Sequence, residues 1–449
     1  MKFTKFGKAL LMSALSAGVI LSVTSCVQSY TVGYLYVTGT TTAQASGTGI
    51  ISGFKIDHNT GLLTPMHGLP VSSGGANPVR AFLISGGRFL YVLNRGVTAS
   101  GGADCTSADP CQNSNITQFA VGGNGILTPQ ETFYTQGINP FRIVGDSSGN
   151  YLYVLDHDSP DNANPSATDG CALALGGVQT CADVTAFTIN QTTGRLQLIV
   201  NQQVTSASGS PLPYFPVPAN PVDFALAGGY MITLSGSGPS DFPYTGGTTA
   251  FPYTYSAVNG QLTINQNSAQ PLNIAKGTAI VSAGGYVYVL DNEPVTVSGT
   301  TSPSQILGFT TGTNGALQAQ TGGAVPDDPT LSNPIMLLME AKGKWVYVAN
   351  QGSNTNNTNA QSGLAGYVMD PSTHQLSFIA GEPFGSGAGP QCLVEDPSNQ
   401  YVYTANYNDS SVTGRAIDQN AGVLNNLRVA TTYPLTGPAT YCLITGRTN

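Results

Sequence analysis

The amino-acid sequence predicts an all-β fold, a seven-bladed β-propeller built of four-stranded antiparallel blades. Two observations support this: a unit that recurs seven times, and the phase in which the units begin and end. Each unit contains an aromatic-rich strand, and the seven copies begin at Tyr34, Phe89, Tyr151, Tyr230, Tyr286, Trp345 and Tyr401. Successive copies lie about 55 to 80 residues apart, which is enough for four short strands and their loops.

A second strand and a tight turn follow each aromatic strand. The turns read TGLL, NGIL, TGRL, NGQL, NGAL, THQL and AGVL. One slot of the turn needs a residue that tolerates positive φ, and it holds Gly61, Gly125, Gly194, Gly260, Gly315, His374 and Gly422. His374 is therefore predicted to be a turn residue rather than a catalyst.

The phase of the repeat predicts how the ring closes. The chain starts at the second strand of a unit, at Tyr34, and ends on a first strand, Ala439 to Thr445. The C-terminal strand must therefore complete the N-terminal blade, which removes the open sheet edges. Cys392 and Cys442 lie on neighbouring first strands beside this closure. A disulfide needs Cα atoms within about 7 Å, so these two can bond only where the blades converge.

The N-terminus predicts export. A basic start precedes an apolar run, Ala9 to Val23, that is short for a membrane span. The run ends in Val-Thr-Ser-Cys, which resembles a bacterial lipobox, so we expect Cys26 to be acylated. Ordinary secretion with a chance cysteine is the alternative.

These features predict residues 1–25 as a lipoprotein signal peptide, 26–33 as a lipidated linker and 34–449 as the propeller. Residue 27 is Val rather than Asp, which favours the outer membrane of a bacterial envelope, with the protein facing the periplasm or the exterior.

The remaining six cysteines agree with an oxidising compartment. Cys105 and Cys111 lie in one short loop, and Cys171 and Cys181 lie in another. Neither pair has zinc-site spacing with nearby histidines, so local disulfides are the better interpretation.

Composition restricts the partners. Charged residues make up 8% of the 449 residues, the net charge is −8, and Lys and Arg form no runs. Nucleic-acid binding depends on neutralising phosphates and is therefore not expected. We expect a monomer that contacts the membrane only through Cys26.

The YVYVAN-type strands, the turns ending in leucine and the NP or GP loops resemble the lactonase family of seven-bladed propellers. That family includes 6-phosphogluconolactonase-like proteins and is close to the YVTN-repeat propellers. The resemblance covers Tyr34 to Thr445 and implies lactone hydrolysis. Family enzymes often carry a proline–histidine step in the NP loops, and this sequence departs from that pattern. The matching residues here are Val79, Phe141, Val222, Ile335, Gln391 and Ala439.

The long insertions predict which face carries a site. In a propeller the loop after a second strand and the loop before the next first strand emerge on one face. The insertions Val97–Ser114, Ser159–Ala182 and Gln351–Ser362, and the proline loop Ser208–Pro221, all belong there.

The first candidate group on this face is Asp156, His157 and Asp158, at the exit of a second strand. The polar slot of Asp156 recurs in most blades, so one interpretation is a side chain that hydrogen-bonds the turning backbone. A Ca²⁺ site that includes Asp161 is another. A role in ligand binding or proton transfer is the third.

The second candidate group is Arg80, Arg142 and Asp223, each two residues after a loop proline. The guanidinium groups could clamp a carboxylate or phosphate. The alternative is an ion-pair network that lines the channel.

Two functions follow as hypotheses. The leading one is a binding lipoprotein, without a cofactor, for a small sugar-like, lactone or anionic ligand or for another protein. The other is a lactone hydrolase. In it His157 activates water, Asp156 or Asp158 orients the His157 ring, and Arg80 and Arg142 hold the carboxylate and stabilise the oxyanion. The sequence has no HExxH or glycine-rich phosphate motif. His58 and His67 fall in or near the first hairpin, away from the predicted face.

Overall fold

The computed structural model of the chain describes residues 30–446, except for residues 42–47, 85, 103–104, 207, 237–246, 266–269, 273, 284–285 and 353–361. The predicted signal peptide and Cys26 lie outside the described residues. Within them, no helix is both long enough and apolar enough to cross a membrane.

The strands of the first three blades are β1 (Thr31–Thr40), β2 (Thr48–Asp57), β3 (Leu63–Pro65), β4 (Val71–Ala76), β5 (Pro78–Leu83), β6 (Phe89–Asn94), β7 (Asn115–Val121), β8 (Leu127–Phe133), β9 (Ile138–Gly145), β10 (Tyr151–Asp158), β11 (Ala182–Ile189), β12 (Leu196–Leu198) and β13 (Phe215–Val217). Those that follow are β14 (Pro221–Ala227), β15 (Tyr230–Ser235), β16 (Thr249–Tyr255), β17 (Leu262–Ile264), β18 (Gln270–Pro271), β19 (Gly277–Ala283), β20 (Tyr286–Asp291), β21 (Val295–Val297), β22 (Thr300–Ser302), β23 (Gln305–Thr311), β24 (Leu317–Pro326), β25 (Pro334–Met339), β26 (Trp345–Asn350), β27 (Gly363–Met369), β28 (Leu376–Phe378), β29 (Pro390–Glu395), β30 (Tyr401–Asn406), β31 (Ser411–Ile417), β32 (Leu424–Asn426), β33 (Thr432–Pro434) and β34 (Ala439–Gly446). In the described loops lie one short helix, α1 (Gly170–Ala174), and two 3₁₀ turns (Pro160–Ala163 and Thr313–Gly315).

Seven antiparallel sheets confirm the predicted seven-bladed propeller. Their strand orders are β34-β1-β2-β3, β5-β6-β7-β8, β9-β10-β11-β12, β14-β15-β16-β17, β19-β20-β23-β24, β25-β26-β27-β28 and β29-β30-β31-β32. The repeat did not predict the short strands β4, β13, β18 and β33, which extend four of the blades, or the added hairpin β21-β22. Each short strand pairs with the third strand of its blade. It therefore extends the outer part of the blade without changing the ring.

Closure of the ring occurs as predicted. β34 pairs with β1 from Gly33 opposite Gly446 to Gly39 opposite Ala439. β1 begins at Thr31, three residues before the expected start of the propeller at Tyr34. The Cys392–Cys442 disulfide joins β29 to β34 with a Cα–Cα distance of 5.7 Å. The inner strands of neighbouring blades therefore approach closely enough beside the closure for the bond to form.

The apolar core is divided among the blade interfaces. Seven buried clusters alternate with the seven sheets, and one of them packs blade 3 against blade 4 through Tyr153, Met231 and Phe251. Alternate residues of the second strands enter the clusters on either side of their own blade. The ring is therefore held together by face-to-face packing between sheets.

The turn glycines explain how closely neighbouring blades pack. Gly125 has a φ of +80°, and a Cβ at this position would overlap the ring of Tyr34 in the preceding blade. His374 occupies the same slot with a φ of +57°. Its ring stacks on Tyr286 of the preceding blade at a centroid distance of 3.6 Å. The prediction that His374 is a turn residue is confirmed.

A hydrogen bond crosses six of the seven blade interfaces at these turns. The third residue of the aromatic strand is a tyrosine whose hydroxyl donates to the turn carbonyl of the next blade. The pairs are Tyr36 with Gly125 (2.6 Å), Tyr91 with Gly194 (2.5 Å), Tyr153 with Gly260 (3.0 Å), Tyr288 with His374 (3.0 Å), Tyr347 with Gly422 (2.7 Å) and Tyr403 with Gly61 (2.8 Å). Ile232 holds the position in blade 4 and packs in an apolar cluster with Phe309 and Leu317 of blade 5.

Removal of one such hydroxyl should destabilise the ring. Tyr347→Phe leaves the buried Gly422 carbonyl without its donor, so we expect the free energy of unfolding to fall by about 1–3 kcal/mol. Tyr134→Phe is the control, since Tyr134 is 63% exposed, and its effect should stay within about 0.5 kcal/mol. Thermal and urea unfolding of both variants measure the difference. Equal stabilities would contradict a structural role for this bond.

Candidate functional site

Each inner strand carries a one-residue bulge near its start. The bulged residues are Val79, Phe141, Val222, Thr278, Ile335, Gln391 and Thr440. A bulge re-aims a side chain, and five of these seven residues line one cavity. The register places Thr440, and not Ala439, in the slot where family enzymes carry histidine, because Ala439 pairs with Gly39 as the loop prolines pair in other blades. The sequence alignment of that blade was therefore wrong by one residue.

This cavity, here called the channel mouth, has a volume of about 410 Å³. It is lined by Val79, Arg80, Arg142, Thr278, Ile335, Gln351, Gln391, Tyr407 and Thr440. The lining residues come from six of the seven blades. The cavity therefore lies where the inner strands converge.

Arg142 and Asp223 form an ion pair at the wall of the channel mouth. Arg142 Nε lies 3.1 Å from Asp223 Oδ1. The other carboxylate oxygen of Asp223 accepts from the backbone N–H of Ile280 at 3.1 Å. Burial lowers the pKa of Arg142 to about 10, and the charge of Arg80 acts in the same direction while Asp223 opposes it. Arg142 therefore stays protonated at neutral pH.

Arg80 has a different partner. Its guanidinium group lies 4.7 Å from the centroid of the Tyr441 ring. Among the described residues, no carboxylate lies within ion-pair distance of Arg80. The channel mouth therefore holds two guanidinium groups and one paired carboxylate, which leaves an excess positive charge.

A second cavity, here called the lateral cavity, lies beside the channel mouth among the insertion loops and has a volume of about 510 Å³. It is lined by Ser107, Pro110, Ile138, His157, Asp158, Asn162, Ala163, Thr180, Cys181, Ala219 and Asn220. The predicted disulfides Cys105–Cys111 and Cys171–Cys181 both form, with Cα–Cα distances of 5.1 and 5.6 Å. Each disulfide braces one of the two insertions that wall this cavity.

His157 and Asp158 form a hydrogen-bonded pair in the wall. His157 Nδ1 lies 3.1 Å from Asp158 Oδ2, and the imidazole is 32% exposed. Asp158 also accepts from Ser107 Oγ at 2.6 Å and from Asn139 Nδ2 at 3.0 Å. Burial acts to raise the pKa of Asp158, but the hydrogen bonds from His157, Ser107 and Asn139 and the charge of His157 together hold it below its usual value. Asp158 therefore orients the ring and leaves Nε2 for other contacts.

The Phe141 ring lies near one residue of each cavity. Its centroid is 6.2 Å from that of His157 and 5.1 Å from the guanidinium carbon of Arg142. His157 lines the lateral cavity and Arg142 lines the channel mouth, so the two residues face different cavities.

Asp156 does not line either cavity. Its side chain is fully buried, and its Oδ2 accepts from Thr185 Oγ1 at 3.2 Å. The equivalent Asn94 and Asn406 are also buried and donate to Ser73 O and Ser411 O at 3.0 and 3.3 Å. These contacts fit the interpretation of this slot as a structural polar link.

The three carboxylates of the calcium hypothesis face different partners. Asp161 Oδ2 accepts from the backbone N–H of Cys171 at 3.1 Å, while Asp156 and Asp158 make the contacts given above. Asp161, Asp169 and Cys171 also lie close together. Cys171 is disulfide-bonded there, and Asp169 caps α1 through Ala172 N at 2.8 Å. Both groupings are explained by contacts within the protein.

The remaining histidines lie away from both cavities. His58 follows β2 and stacks on Tyr30 at 4.5 Å, and His67 is exposed in the next turn. A third cavity, of about 560 Å³, opens among the hairpins of blades 3 to 5, where Gly228 and Gly229 shorten a turn. The carboxylate there, Asp146, already accepts from Tyr151 N and Tyr255 OH.

Asn139 is a site residue that the sequence reasoning missed. It is fully buried, has a φ of +60° and accepts from Cys111 N at 2.7 Å while it donates to Asp158. It therefore links the first cystine loop to the His157–Asp158 pair. The Asn-Pro step was the available signal, because Asn77, Asn220 and Asn333 also precede proline with positive φ.

Comparisons with known proteins agree on the fold. A family model described as "Lactonase, 7-bladed beta-propeller" matches residues 48–164 and 295–440. No curated protein sequence matches the chain. The structure resembles the periplasmic gluconolactonase of Pseudomonas aeruginosa, with 17% identity, a TM-score of 0.61 and coverage of 93% of this chain and 99% of that one. It also resembles a candidate 6-phosphogluconolactonase from Bacteroides fragilis, with 15% identity, a TM-score of 0.61 and coverage of 92% and 98%.

Proposed function

The chain belongs to the lactonase family of seven-bladed β-propellers, and we propose that it binds a small anionic, sugar-like ligand at the channel mouth. The observation that carries the proposal is the Arg80–Arg142 pair, which only one carboxylate of the wall offsets. Guanidinium groups recognise carboxylates through paired N–H donors. Thr278, Gln391 and Thr440 add hydroxyl and amide groups to the same wall, and these suit the hydroxyls of a sugar acid.

The division of labour between the two arginines follows from their partners. Asp223 fixes Arg142 in place through Nε, so Arg142 is a preorganised wall residue. Among the described residues, the contact that holds the Arg80 guanidinium is its stack on Tyr441, which leaves its N–H groups to a ligand. An aldonate carboxylate would therefore lie against Arg80, with its hydroxyls directed toward the polar wall.

Ligand binding should depend on Arg80. We expect gluconate or glucono-δ-lactone to raise the unfolding temperature of the wild type, since a ligand at about 100 times its Kd adds roughly 2.7 kcal/mol of stability. Arg80→Gln should weaken binding at least tenfold, because a hydrogen bond to a charged group contributes about 1.5–3 kcal/mol. Calorimetric titration measures the Kd.

The control for this experiment is Arg195→Gln. Arg195 is 69% exposed and pairs with Glu131 at the surface, so its Kd should match that of the wild type. A wild type that binds no member of a panel of sugar acids, lactones and inorganic anions would contradict the proposal, as would undiminished binding by Arg80→Gln.

Lactone hydrolysis is the second candidate, and the His157–Asp158 pair favours it. With Nδ1 held by Asp158, Nε2 of His157 can take a proton from a water molecule that attacks the lactone carbonyl carbon. The ring C–O bond then breaks, and the imidazolium returns the proton to the leaving alkoxide. The product is the open hydroxy acid. The lateral cavity, beside the cationic channel mouth, would hold the ring.

Turnover of a lactone panel tests this second candidate. Wild-type hydrolysis should fall at least a hundredfold in His157→Gln, the usual contribution of a general base. A smaller loss is expected for Asp158→Asn. This change keeps the shape of the side chain but replaces the carboxylate that accepts from His157 Nδ1 with a neutral amide. Arg195→Gln is the control. Activity that survives in His157→Gln would remove the histidine from the reaction.

We also propose that the protein is an envelope lipoprotein anchored through Cys26. The lipobox-like Val-Thr-Ser-Cys sequence supports this. Mass spectrometry of protein extracted from its native membrane should find an acylated N-terminal Cys26. Cys26→Ser should release the protein into the soluble fraction. An unmodified N-terminus at another residue would contradict the proposal.

A further inference from the structure

Two aspartates face each other at the buried ends of β10 and β11. Asp156 and Asp183 are direct partners across the strands, and both side chains are fully buried. The two carboxyl groups are close enough to share a hydrogen bond. A Cβ at Gly137 would overlap both residues, so the backbone at 137 packs tightly against the pair.

The carboxyl pair has few donors. Thr185 Oγ1 donates to Asp156 Oδ2 at 3.2 Å, the Thr135 hydroxyl and the Gly137 backbone N–H also stabilise charge on Asp156, and Thr185 does so on Asp183. These few donors do not offset the burial of two adjacent carboxyl groups, so burial favours a pair that retains a proton.

The equivalent pairs in other blades show what the contact requires. Asn94 faces Asn115 in blade 2 and donates to its Oδ1 at 2.9 Å. Asn406 faces Ser411 in blade 7 and donates to its Oγ at 3.0 Å. An amide N–H supplies the donor in both. In blade 3 both partners are aspartates, so a matching donor would have to be the O–H of a protonated carboxyl group.

We propose that Asp156 and Asp183 hold a proton between them and form a pH-sensitive latch at the base of the 159–182 loop. β10 continues from Asp156 into His157 and Asp158, and β11 starts directly after Cys181. His157, Asp158 and Cys181 line the lateral cavity. Loss of the proton places two negative charges in contact, separates the strand ends and loosens the cystine loop that walls the cavity.

The surroundings favour the protonated state. Burial raises the pKa of Asp156 to about 7. Burial also raises the pKa of Asp183 well above its usual value, and the charge of Asp156 adds to the effect. The loop contributes Asp161, another negative group, and the segment before β13 contributes the neutral Tyr214. On β10 itself, His157 is paired with Asp158 and not with the latch.

The sign of the pH dependence follows from these groups. In the unfolded chain both carboxyl groups lose their protons near pH 4, whereas the folded pair keeps a proton to higher pH. Stability therefore falls as pH rises from about 4 through 7 and beyond. The unfolding equilibrium constant rises by up to tenfold per pH unit for each retained proton.

Unfolding of the full-length protein between pH 5 and 9 tests the latch. The wild type should lose stability along this range. Asp156→Asn and Asp183→Asn should each flatten the profile and be more stable than the wild type at pH 9, because the amide donates without a proton to lose. Glu131→Gln, at a surface residue, should keep the wild-type profile.

Hydrogen exchange, corrected for the intrinsic effect of pH, should show opening confined to residues 155–159 and 181–184 at alkaline pH. Wild-type slopes in both Asn variants would overturn the shared proton. So would Ca²⁺ that restores the wild type at pH 9, because a cation would then occupy the pair. Exchange that rises only across the whole ring would overturn the latch.

Discussion

The ring depends on one repeated contact, a buried tyrosine hydroxyl that donates to the turn carbonyl of the next blade. The contact needs a tyrosine on the second strand and a turn that brings its backbone close to the neighbouring blade. A turn residue with positive φ provides that approach, and in six blades it is a glycine without a Cβ to collide with the aromatic ring. Because sheets pack face to face without strand pairing between them, these bonds give six of the interfaces a fixed register that apolar packing alone does not specify. Blade 4 replaces the bond with apolar contacts of Ile232.

With the interfaces fixed, the inner strands meet at the axis in a common register. Each of them carries a bulge, and five of the seven bulged residues line the channel mouth. The repeat therefore prepares seven equivalent positions, and function arises from the residues that differ there. Arg80 and Arg142 come from blades 2 and 3, one slot beyond the bulge, and Asp223 of blade 4 neutralises only one of them. The ring supplies the geometry, and Arg80, Arg142 and Asp223 supply the charge.

The strand repeat made the fold predictable because every level of the sequence agrees with it, from the aromatic strands to the turn glycines. Closure of the ring followed from the phase of the repeat, whereas the repeat left open whether Cys392 and Cys442 are bonded. Sequence reasoning failed where the strand register, or a partner distant in the sequence, determines what a residue contacts. The bulge places Thr440 rather than Ala439 in the axial slot, and Asp156 was grouped with His157 although Asp183 across the strand is its partner. The lateral cavity depends on the conformation of two disulfide-braced insertions, which no repeat specifies.

Charged residues are scarce in this chain, so a cluster of them at one end of the propeller is significant. Only 8% of the residues are charged, yet the same end of blades 2 to 4 holds Arg80, Arg142, Asp223, Asp156, Asp183, His157 and Asp158. Four of these groups form two pairs at wall positions: Arg142 with Asp223, and His157 with Asp158. Burial beside the axis weakens solvent screening, so each unpaired charge there acts more strongly than it would at the surface. Arg142 and Arg195 pair with Asp223 and Glu131. Arg80 differs from them because its charge faces a cavity rather than a carboxylate. Under the proposed function, a ligand that brings its own negative charge would pair with Arg80, for which the described residues supply no carboxylate.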